Sequence, residues 1–462
     1  MSKLIAKNVS VLQELKVHTK DVTCLEFWGN VLLVTGSSDK TIRIWKWEVG
    51  LGFVEDSNIS PLLGHKYGVT SVKISPKGGV LASSSVDGTV LLWDISTGQK
   101  TNTLYQLNGE AVRSCCFSPN GSYIASADDS GAVCIWGQEK NLIRTLHYHE
   151  ETVYALAFSA DSSILLTACN TGMMRLTFIK RICEAQNHEY DCGIDHAHDL
   201  GVVYADFCKL IHTDPLDPDT TIHTVVTCGN DQCIKLWRIY SLKSNENLKN
   251  SRLIPPGPSE RESGNSVVNS SSLMNAECVL TISGHGCSVT CVRFNSRGTL
   301  LISSGMDKAV KVWDLQGNCL QTLLEHSRYV NCVAINGDSS LLASGSNDRS
   351  VIVWDLSATL TLESHIAGFR SIIFNMAASE IDIPLELICP ITHEIMTYPV
   401  VAEDGFTYEK SAILEWFDRG RNTSPMTNEE LTSLDVSDNE DLKLKIECFL
   451  KTLDFDSFDG IA

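Results

Sequence analysis

Residues 65–94, HKYGVTSVKISPKGGVLASSSVDGTVLLWD, decide the fold of this chain. Two β-rich runs, Val80–Ser83 and Val90–Trp93, flank the turn Val86-Asp87-Gly88, which is the pattern of a β-hairpin. A histidine opens the stretch, an aspartate lies six residues before the tryptophan, and a serine lies four residues before that aspartate. The stretch predicts an antiparallel sheet with fixed polar markers at its turns.

The same pattern recurs through the first 355 residues. His-x-x-x-Val appears six times, and a seventh copy has Asn108 in the His position. In five copies the interval from that position to a tryptophan is 27 or 28 residues. Repeats at a period of about 40–45 residues are typical of propeller blades, so seven copies predict seven four-stranded sheets around a central channel.

Trp-Asp pairs end three of the copies, at Trp93-Asp94, Trp313-Asp314 and Trp354-Asp355, and with them the segment resembles the WD-repeat family. That resemblance implies a seven-bladed β-propeller over residues 10–356. It also implies that the repeated polar residues form buried structural tetrads, since seven near-copies of one constellation cannot all be active sites. The clearest tetrads are His65, Ser83, Asp87 and Trp93; His285, Ser303, Asp307 and Trp313; and His326, Ser344, Asp348 and Trp354.

Two copies depart from this pattern and predict weaker blades. Copy three has Asn108 for His and Ser130 for Asp. Copy four has Thr171 for Asp and Thr177 for Trp.

Extra residues interrupt the later part of the repeat. Copy five is about 11 residues too long, with the surplus at 211–223, and residues 241–277 are rich in Ser, Asn, Pro and Gly. We expect the second segment to be a disordered insertion between blades, either a solvated loop or a docking or phosphorylation segment. Ring closure has two candidate strands, 10–17 and 359–363, and we favour the N-terminal one because it joins the first blade to the last.

Composition narrows the class of protein. The net charge of −19 argues against nucleic acid and membrane partners, which need a basic surface. The start of the chain breaks its apolar stretch too early for a signal peptide. Seventeen cysteines without a CxxC pair are typical of reduced thiols, so we expect an intracellular protein, cytoplasmic and/or nuclear.

The last part of the chain is a different module. From Asp382 onward there are 18 acidic and 6 basic residues, a net charge of −12 in 81 residues. The residues predict a hairpin of 400–402 and 406–408 around Asp404-Gly405, a helix over 410–418, and a final helix that starts at Asn439. We therefore divide the chain into a propeller (10–356), a linker (357–381) and a small α+β domain (382–455).

Cys-Pro-Ile at 389–391, Gly-x-Thr-Tyr-Glu at 405–409 and Pro-Met-Thr at 425–427 give this domain its resemblance to the U-box family. That resemblance implies a ubiquitin-protein ligase that binds a ubiquitin-charged conjugating enzyme and promotes transfer to a substrate lysine, with no covalent ubiquitin on the ligase. The propeller would recruit an unknown protein substrate. By motif position, the implied conjugating-enzyme surface is Ile391, His393, Trp416 and Pro425, Asn428 is a possible ubiquitin contact, and the structural residues are Glu394, Thr407 and Glu409.

No metal or cofactor is expected in this domain. Its residues include only Cys389, Cys448 and His393 of the thiol and imidazole types, against the eight ligands that two four-coordinate sites need. His393 and Asn428 depart from common U-box residues, so a non-enzymatic WD-repeat scaffold with a degenerate U-box is the alternative.

The order of the two modules also resembles the family of proteins with WD repeats, a sterile-alpha-motif (SAM) domain and a U-box. Only 26 residues lie between Asp355 and Asp382 here, which is less room than even a small domain of about 50 residues needs. We therefore expect the middle domain to be missing.

Overall fold

The fold is mainly β. This computed structural model describes residues 9–184, 190–214, 217–242 and 273–356, and in the C-terminal part residues 387, 389, 396, 399–404, 406–418, 423–424, 431, 433–439, 442–443 and 445–446. The chain divides into two compact units, Met1–Glu363 and Ser364–Ala462.

The first unit contains seven antiparallel sheets, numbered here as blades one to seven. Blade one contains β2 (Val22–Trp28), β3 (Leu32–Ser37), β4 (Thr41–Glu48), β5 (Gly52–Glu55) and β6 (Leu62–Leu63). Blade two contains β7 (Val69–Ile74), β8 (Val80–Ser85), β9 (Thr89–Asp94) and β10 (Lys100–Tyr105). Blade three contains β11 (Val112–Phe117), β12 (Ile124–Asp128), β13 (Val133–Trp136) and β14 (Leu142–Leu146).

The next blades depart most from a uniform size. Blade four contains β15 (Val153–Phe158), β16 (Ile164–Cys169), β17 (Met174–Phe178), the short helix α1 (Ile179–Glu184) and β18 (Cys192–Ile194). Blade five contains β19 (Val202–Thr213), β20 (Thr220–Gly229), β21 (Cys233–Leu242) and β22 (Met274–Ser283). Blade six contains β23 (Val289–Phe294), β24 (Leu300–Gly305), β25 (Val310–Asp314) and β26 (Cys319–Leu323).

The N-terminal strand completes the last sheet. Blade seven contains β27 (Val330–Ile335), β28 (Leu341–Ser346), β29 (Val351–Asp355) and β1 (Ser10–Leu15). β1 pairs with β29, with Leu15 opposite Val351, and β2 of blade one lies beside β27 of blade seven. The structure thus places the N-terminal strand in the closing position. The other candidate, 359–363, lies outside the described residues.

The blades pack face to face through apolar side chains. One cluster joins Val22 and Leu25 of blade one to Ala343 and Val353 of blade seven. The strands just outside the channel strands, such as β3, β16 and β24, are buried along their whole length. Strands buried on both faces read as nearly continuous apolar runs, as these do.

A β-bulge recurs at the start of every channel strand. In blade one it lies between Val22 and Cys24, and in blade two between Val69 and Ser71. In blade one the bulged residue points to the next blade, where the Thr23 hydroxyl donates to the Val69 carbonyl at 2.6 Å. The bulge therefore frees one polar side chain to join neighbouring blades.

Blade five corrects two expectations. The surplus at 211–223 extends a hairpin, since Ile211 pairs with His223 and Thr213 with Thr221. The predicted disordered insertion is too wide at both ends, because β21 continues to Leu242 and β22 begins at Met274. The prediction missed these strands because Ser and Asn in 241–277 read as loop residues, whereas cross-strand pairing overrides that local preference. Residues 243–272 lie outside the described residues.

The second unit contains β30 (Pro399–Val401), β31 (Thr407–Glu409), the helix α2 (Lys410–Asp418) and β32 (Ser437–Asp438). The sheet order is β31-β30-β32. Its apolar core includes Cys389, Val400, Tyr408, Ile413 and Ile446. The helix has the bounds that the sequence predicts, while the hairpin strands are displaced by one residue and β32 is an addition.

Candidate functional site

The polar tetrads come together inside the blades. In blade two, His65 Nδ1 lies 3.0 Å from Asp87 and Nε2 lies 2.7 Å from the Ser83 hydroxyl, to which the Trp93 indole N–H donates at 2.9 Å. The same chain of contacts occurs for His18, Thr35, Asp39 and Trp45; His198, Thr227, Asp231 and Trp237; His285, Ser303, Asp307 and Trp313; and His326, Ser344, Asp348 and Trp354. Each buried polar group finds a partner in this way, and the loop before each channel strand is fixed to the hairpin turn of the same blade.

Blade three uses a different residue in the His position. Asn108 is exposed, and the buried Gln106 accepts from the Ser126 hydroxyl at 3.0 Å. The Trp136 indole still donates to Ser126 at 3.0 Å. The assignment of Asn108 to the His position is therefore wrong, because the following loop is two residues longer and the glutamine side chain reaches the site instead.

Blade four keeps half of its tetrad. His149 Nε2 lies 2.8 Å from the Thr167 hydroxyl, but His149 Nδ1 is buried without a hydrogen-bond partner, because Thr171 stands where other blades have Asp. Burial, and then the nearby Arg175 cation, lower the pKa of His149 to about 4. His149 is therefore neutral at physiological pH.

A charged group in the channel escaped the sequence analysis. Glu26 of β2 accepts from Lys73 of β7 at 3.0 Å and from Arg293 of β23 at 2.8 Å, and Lys73 also donates to the Tyr204 hydroxyl of β19 at 3.2 Å. Burial alone would raise the pKa of Glu26, but Arg293 and Lys73 outweigh it and lower the pKa to about 2. Glu26, Lys73 and Arg293 each lie eight residues after a repeat His, which is the signal that could have found the group.

The hairpin of the second unit is fixed by hydrogen bonds. The buried Tyr408 hydroxyl donates to Asp404 at 2.7 Å, and the Glu409 backbone N–H donates to Cys389 Sγ at 3.2 Å. The Thr407 hydroxyl accepts from the Asn439 side-chain amide at 3.1 Å. Thr407 and Glu409, predicted as structural residues, both lie at such contacts.

Asn439 also caps the helical segment that follows it. Its side-chain oxygen accepts from the Leu442 backbone N–H at 3.1 Å, three residues on, and its backbone N–H donates to the Pro399 carbonyl at 2.9 Å. This is the arrangement of an N-cap residue, as the sequence predicts.

Trp416 connects helix α2 to a loop. Its ring packs against the apolar core of the unit, and its indole N–H donates to the Thr423 carbonyl at 2.9 Å. Thr423 lies two residues before Pro425, so Trp416 anchors the start of the loop that carries this predicted residue. The other predicted site residues, Ile391, His393, Glu394, Pro425 and Asn428, lie outside the described residues.

Ligand-binding and membrane features were sought in the same ranges. Among the described residues, no group of three or more His, Cys, Asp or Glu side chains is placed to hold a metal ion. No helix of the described part is both long and apolar enough to cross a membrane. All cysteines in these ranges are free.

Two family models match the sequence. The U-box domain model matches residues 383–454. The model of the WD domain, G-beta repeat, matches residues 9–46, 57–94, 101–137, 140–176, 276–314 and 317–355. These six segments leave residues 202–242 unmatched, which form three long strands of blade five.

Full-length relatives combine the same two parts. The chain is 32% identical to WD repeat, SAM and U-box domain-containing protein 1 of Gallus gallus over 515 positions, which cover 96% of this chain and 99% of the relative. The Homo sapiens protein of the same name is 30% identical with the same coverage. Because this chain has 462 residues, at least 53 of the 515 aligned positions have no counterpart in it, which is about the size of a small domain.

A third relative matches the C-terminal part alone. A probable bifunctional E2/E3 enzyme of Acanthamoeba polyphaga mimivirus is 62% identical over 58 residues, which are 13% of this chain and 4% of the relative.

Proposed function

Since the chain belongs to the family of WD repeat, SAM and U-box domain-containing proteins, we propose that it is a ubiquitin-protein ligase. The observation that carries the proposal is the U-box match over residues 383–454, in a chain whose other unit is a seven-bladed WD-repeat propeller. The U-box binds a ubiquitin-charged conjugating enzyme, and the propeller recruits the protein whose lysine receives ubiquitin.

The U-box acts by positioning and forms no covalent bond to ubiquitin. Holding a thioester and an amine in reactive geometry can supply about 7–11 kcal/mol of barrier lowering without any catalytic side chain on the ligase. The acidic charge of the module, −12 over its last 81 residues, favours rapid encounter with a basic partner surface. Neither step requires a metal or a cofactor.

The conjugating enzyme would contact Ile391, His393, Trp416 and Pro425. Trp416 supports this assignment, because its indole N–H holds the loop that leads to Pro425 while its ring remains partly exposed. Asn428, three residues after Pro425, is placed by the motif to contact ubiquitin, and its amide can donate a hydrogen bond.

The propeller supplies no chemistry in this proposal. Its repeated polar residues are consumed by the tetrads, and five of these share one geometry. We place the protein in the cytoplasm and/or nucleus, where free cysteines persist. The net charge of −19 disfavours nucleic acid and anionic membranes as partners.

Self-ubiquitination of the purified full-length chain tests the proposal. The chain is incubated with ubiquitin, activating enzyme and a panel of conjugating enzymes, beside the variants Ile391→Ala and Leu434→Ala. Leu434 is an exposed apolar residue outside α2 and outside the two motif loops, so its variant is the matched control. We expect ubiquitin ladders from the natural chain and the control, and none from Ile391→Ala.

A chain that is folded by circular dichroism but forms no ladder with any conjugating enzyme would contradict the proposal. That result would favour the non-enzymatic scaffold and would direct attention to His393 and Asn428.

A further inference from the structure

One face of the propeller is defined by the tetrads. Each tetrad His lies in a loop that enters a channel strand, and it contacts the Asp of the turn between the second and third strands, as His326 contacts Asp348 at 2.9 Å. The entering loops and these turns therefore lie at the same end of the sheets, which we call the histidine face.

Exposed cations cover part of this face. They belong to blades six, seven, one and two, which are consecutive because the ring closes between blades seven and one. None of them forms an ion pair with a residue in the described ranges. They are Lys308, Arg328, Arg349, Lys20, Lys40 and Lys66. We call this set the cationic crescent.

The remaining blades carry the opposite charge on the same face. In blades three to five, the exposed charged residues of the corresponding loops include Glu110, Glu150, Glu151 and Asp199. In a chain with a net charge of −19, the crescent is thus a local concentration of positive charge.

The backbone gives independent evidence for the crescent. Lys40, Lys308 and Arg349 occupy the same turn position in three blades, with φ of 75°, 69° and 73°. Blades two, three and four have glycine there, as expected for a left-handed conformation that side chains rarely adopt. A residue held in such a conformation points to a role beyond stability, and in these blades every such residue is a cation.

Two tyrosines lie among the cations. Tyr67 follows Lys66 and is 59% exposed, and Tyr329 follows Arg328 and is 48% exposed. Lys40 Nζ lies 5.8 Å from the centre of the Tyr67 ring. Exposed tyrosines offer apolar contact together with a hydrogen-bonding hydroxyl, and they are enriched at protein interfaces.

We propose that the cationic crescent binds an acidic peptide segment of the substrate that carries an aromatic residue. The inference rests on the proposed recruitment of a substrate by the propeller. Carboxylates would meet the six cations, and the aromatic side chain would pack on Tyr67 or Tyr329. A long polyanion such as RNA, or an anionic membrane, would also meet the acidic blades three to five, whose charge repels it.

Fluorescence anisotropy of the full-length chain tests this proposal. The probe is a fluorescein-labelled, glutamate-rich peptide with one central phenylalanine, and its matched control has glutamine at every glutamate position. We expect the acidic peptide to bind, with an affinity that falls as salt rises, and the glutamine peptide to bind far more weakly.

Two variants locate the site. The triple variant Lys40→Gly, Lys308→Gly and Arg349→Gly removes three cations at positions where glycine relaxes the backbone, so its melting temperature should not fall. We expect it to bind the acidic peptide about tenfold more weakly. The control variant Lys77→Glu with Lys140→Glu changes two cations on turns at the opposite end of the sheets and should bind as the natural chain does.

Equal binding by the triple variant and the natural chain would overturn the proposal, as would equal binding of the two peptides. Tighter binding of an RNA oligonucleotide or of phosphatidylserine vesicles at the crescent would replace the peptide as its partner. The same preparations are tested for self-ubiquitination, which depends on the U-box: ladders without peptide binding would reject the crescent and leave the ligase proposal intact.

Discussion

The side-chain amide of Asn331 donates a hydrogen bond to the Val22 carbonyl oxygen at 2.7 Å, across the junction of blades seven and one. Asn331 occupies the bulge position from which Thr23 donates to Val69 and Thr290 donates to Val330. The closing junction is therefore held by the same kind of contact as two other junctions, although its two residues are 309 positions apart.

Replacing Asn331 with Asp should destabilise the propeller by about 2 kcal/mol, because a carboxylate oxygen would then face the Val22 carbonyl without a proton to donate. Urea unfolding of the full chain, followed by tryptophan fluorescence, measures the effect. Thr23→Val is the comparison, since it removes one junction hydrogen bond and adds no charge. An Asn331→Asp variant no less stable than Thr23→Val would contradict the role assigned to this contact.

Thr171→Asp should stabilise blade four by about 1–2 kcal/mol, because it supplies the carboxylate that His149 Nδ1 lacks. The matched control is Ser130→Asp in blade three, where Gln106 replaces the histidine and Asp128 and Asp129 already lie nearby. The control should bring no gain in the free energy of unfolding.

The same variant should change the pH dependence of stability. The pKa of His149 is about 4 in the folded chain and about 6.5 when unfolded, so protons bind preferentially to the unfolded chain as the pH falls from 6.5 to 4. This costs up to about 3 kcal/mol at the acid end. Thr171→Asp raises the folded pKa and should reduce that loss, as measured by thermal unfolding at pH 7.5 and pH 5. An unchanged difference between the two pH values would reject the explanation.

Trp416→Phe should slow ubiquitin ladder formation about fivefold, since it removes the roughly 1 kcal/mol contact that holds Thr423 while keeping an aromatic ring in the core. Initial rates of self-ubiquitination measure the effect. Trp28→Phe, on a partly exposed strand end of blade one, is the matched substitution and should leave the rate unchanged. Equal rates for the two variants would show that the Thr423 contact does not position the loop.

Asn439→Ala should expose the amides of Leu442 and Lys443 to hydrogen exchange, with a loss of about 1–2 kcal/mol of local stability. Asn439→Asp keeps the capping oxygen and can accept from the Thr407 hydroxyl, so its exchange should resemble that of the natural chain. Exchange mass spectrometry of the whole protein distinguishes them. An alanine variant with unaltered exchange would mean that the cap contributes nothing.

The sequence carried the propeller because its markers repeat at a fixed interval, so that one unit predicts the others. Helix α2 was also predictable, because Ile413, Trp416 and Phe417 follow helical spacing and all pack in the core. Local patterns have no such power where tertiary packing decides. Gln106 displaces Asn108 only because a longer loop brings a longer side chain to Ser126.

Contacts between distant strands were the other gap. The channel group of Glu26, Lys73 and Arg293 is assembled from three blades, and no single repeat shows that these charges meet. The short strand β32 has only two residues, both exposed, so its pairing with β30 leaves no hydrophobic pattern in the sequence.

The pairing of β1 with β29 has a consequence for how the protein is made. Leu15 emerges early from the ribosome, but its register partner Val351 is 336 positions later, which at about 5–20 residues per second is a delay of roughly 20–70 s. During that time the first strand has no sheet to join, and afterwards its arrival covers an edge that would otherwise pair with other chains. A nascent chain interrupted before blade seven would keep its first strand unpaired, so completion of translation and burial of this aggregation-prone edge are the same event.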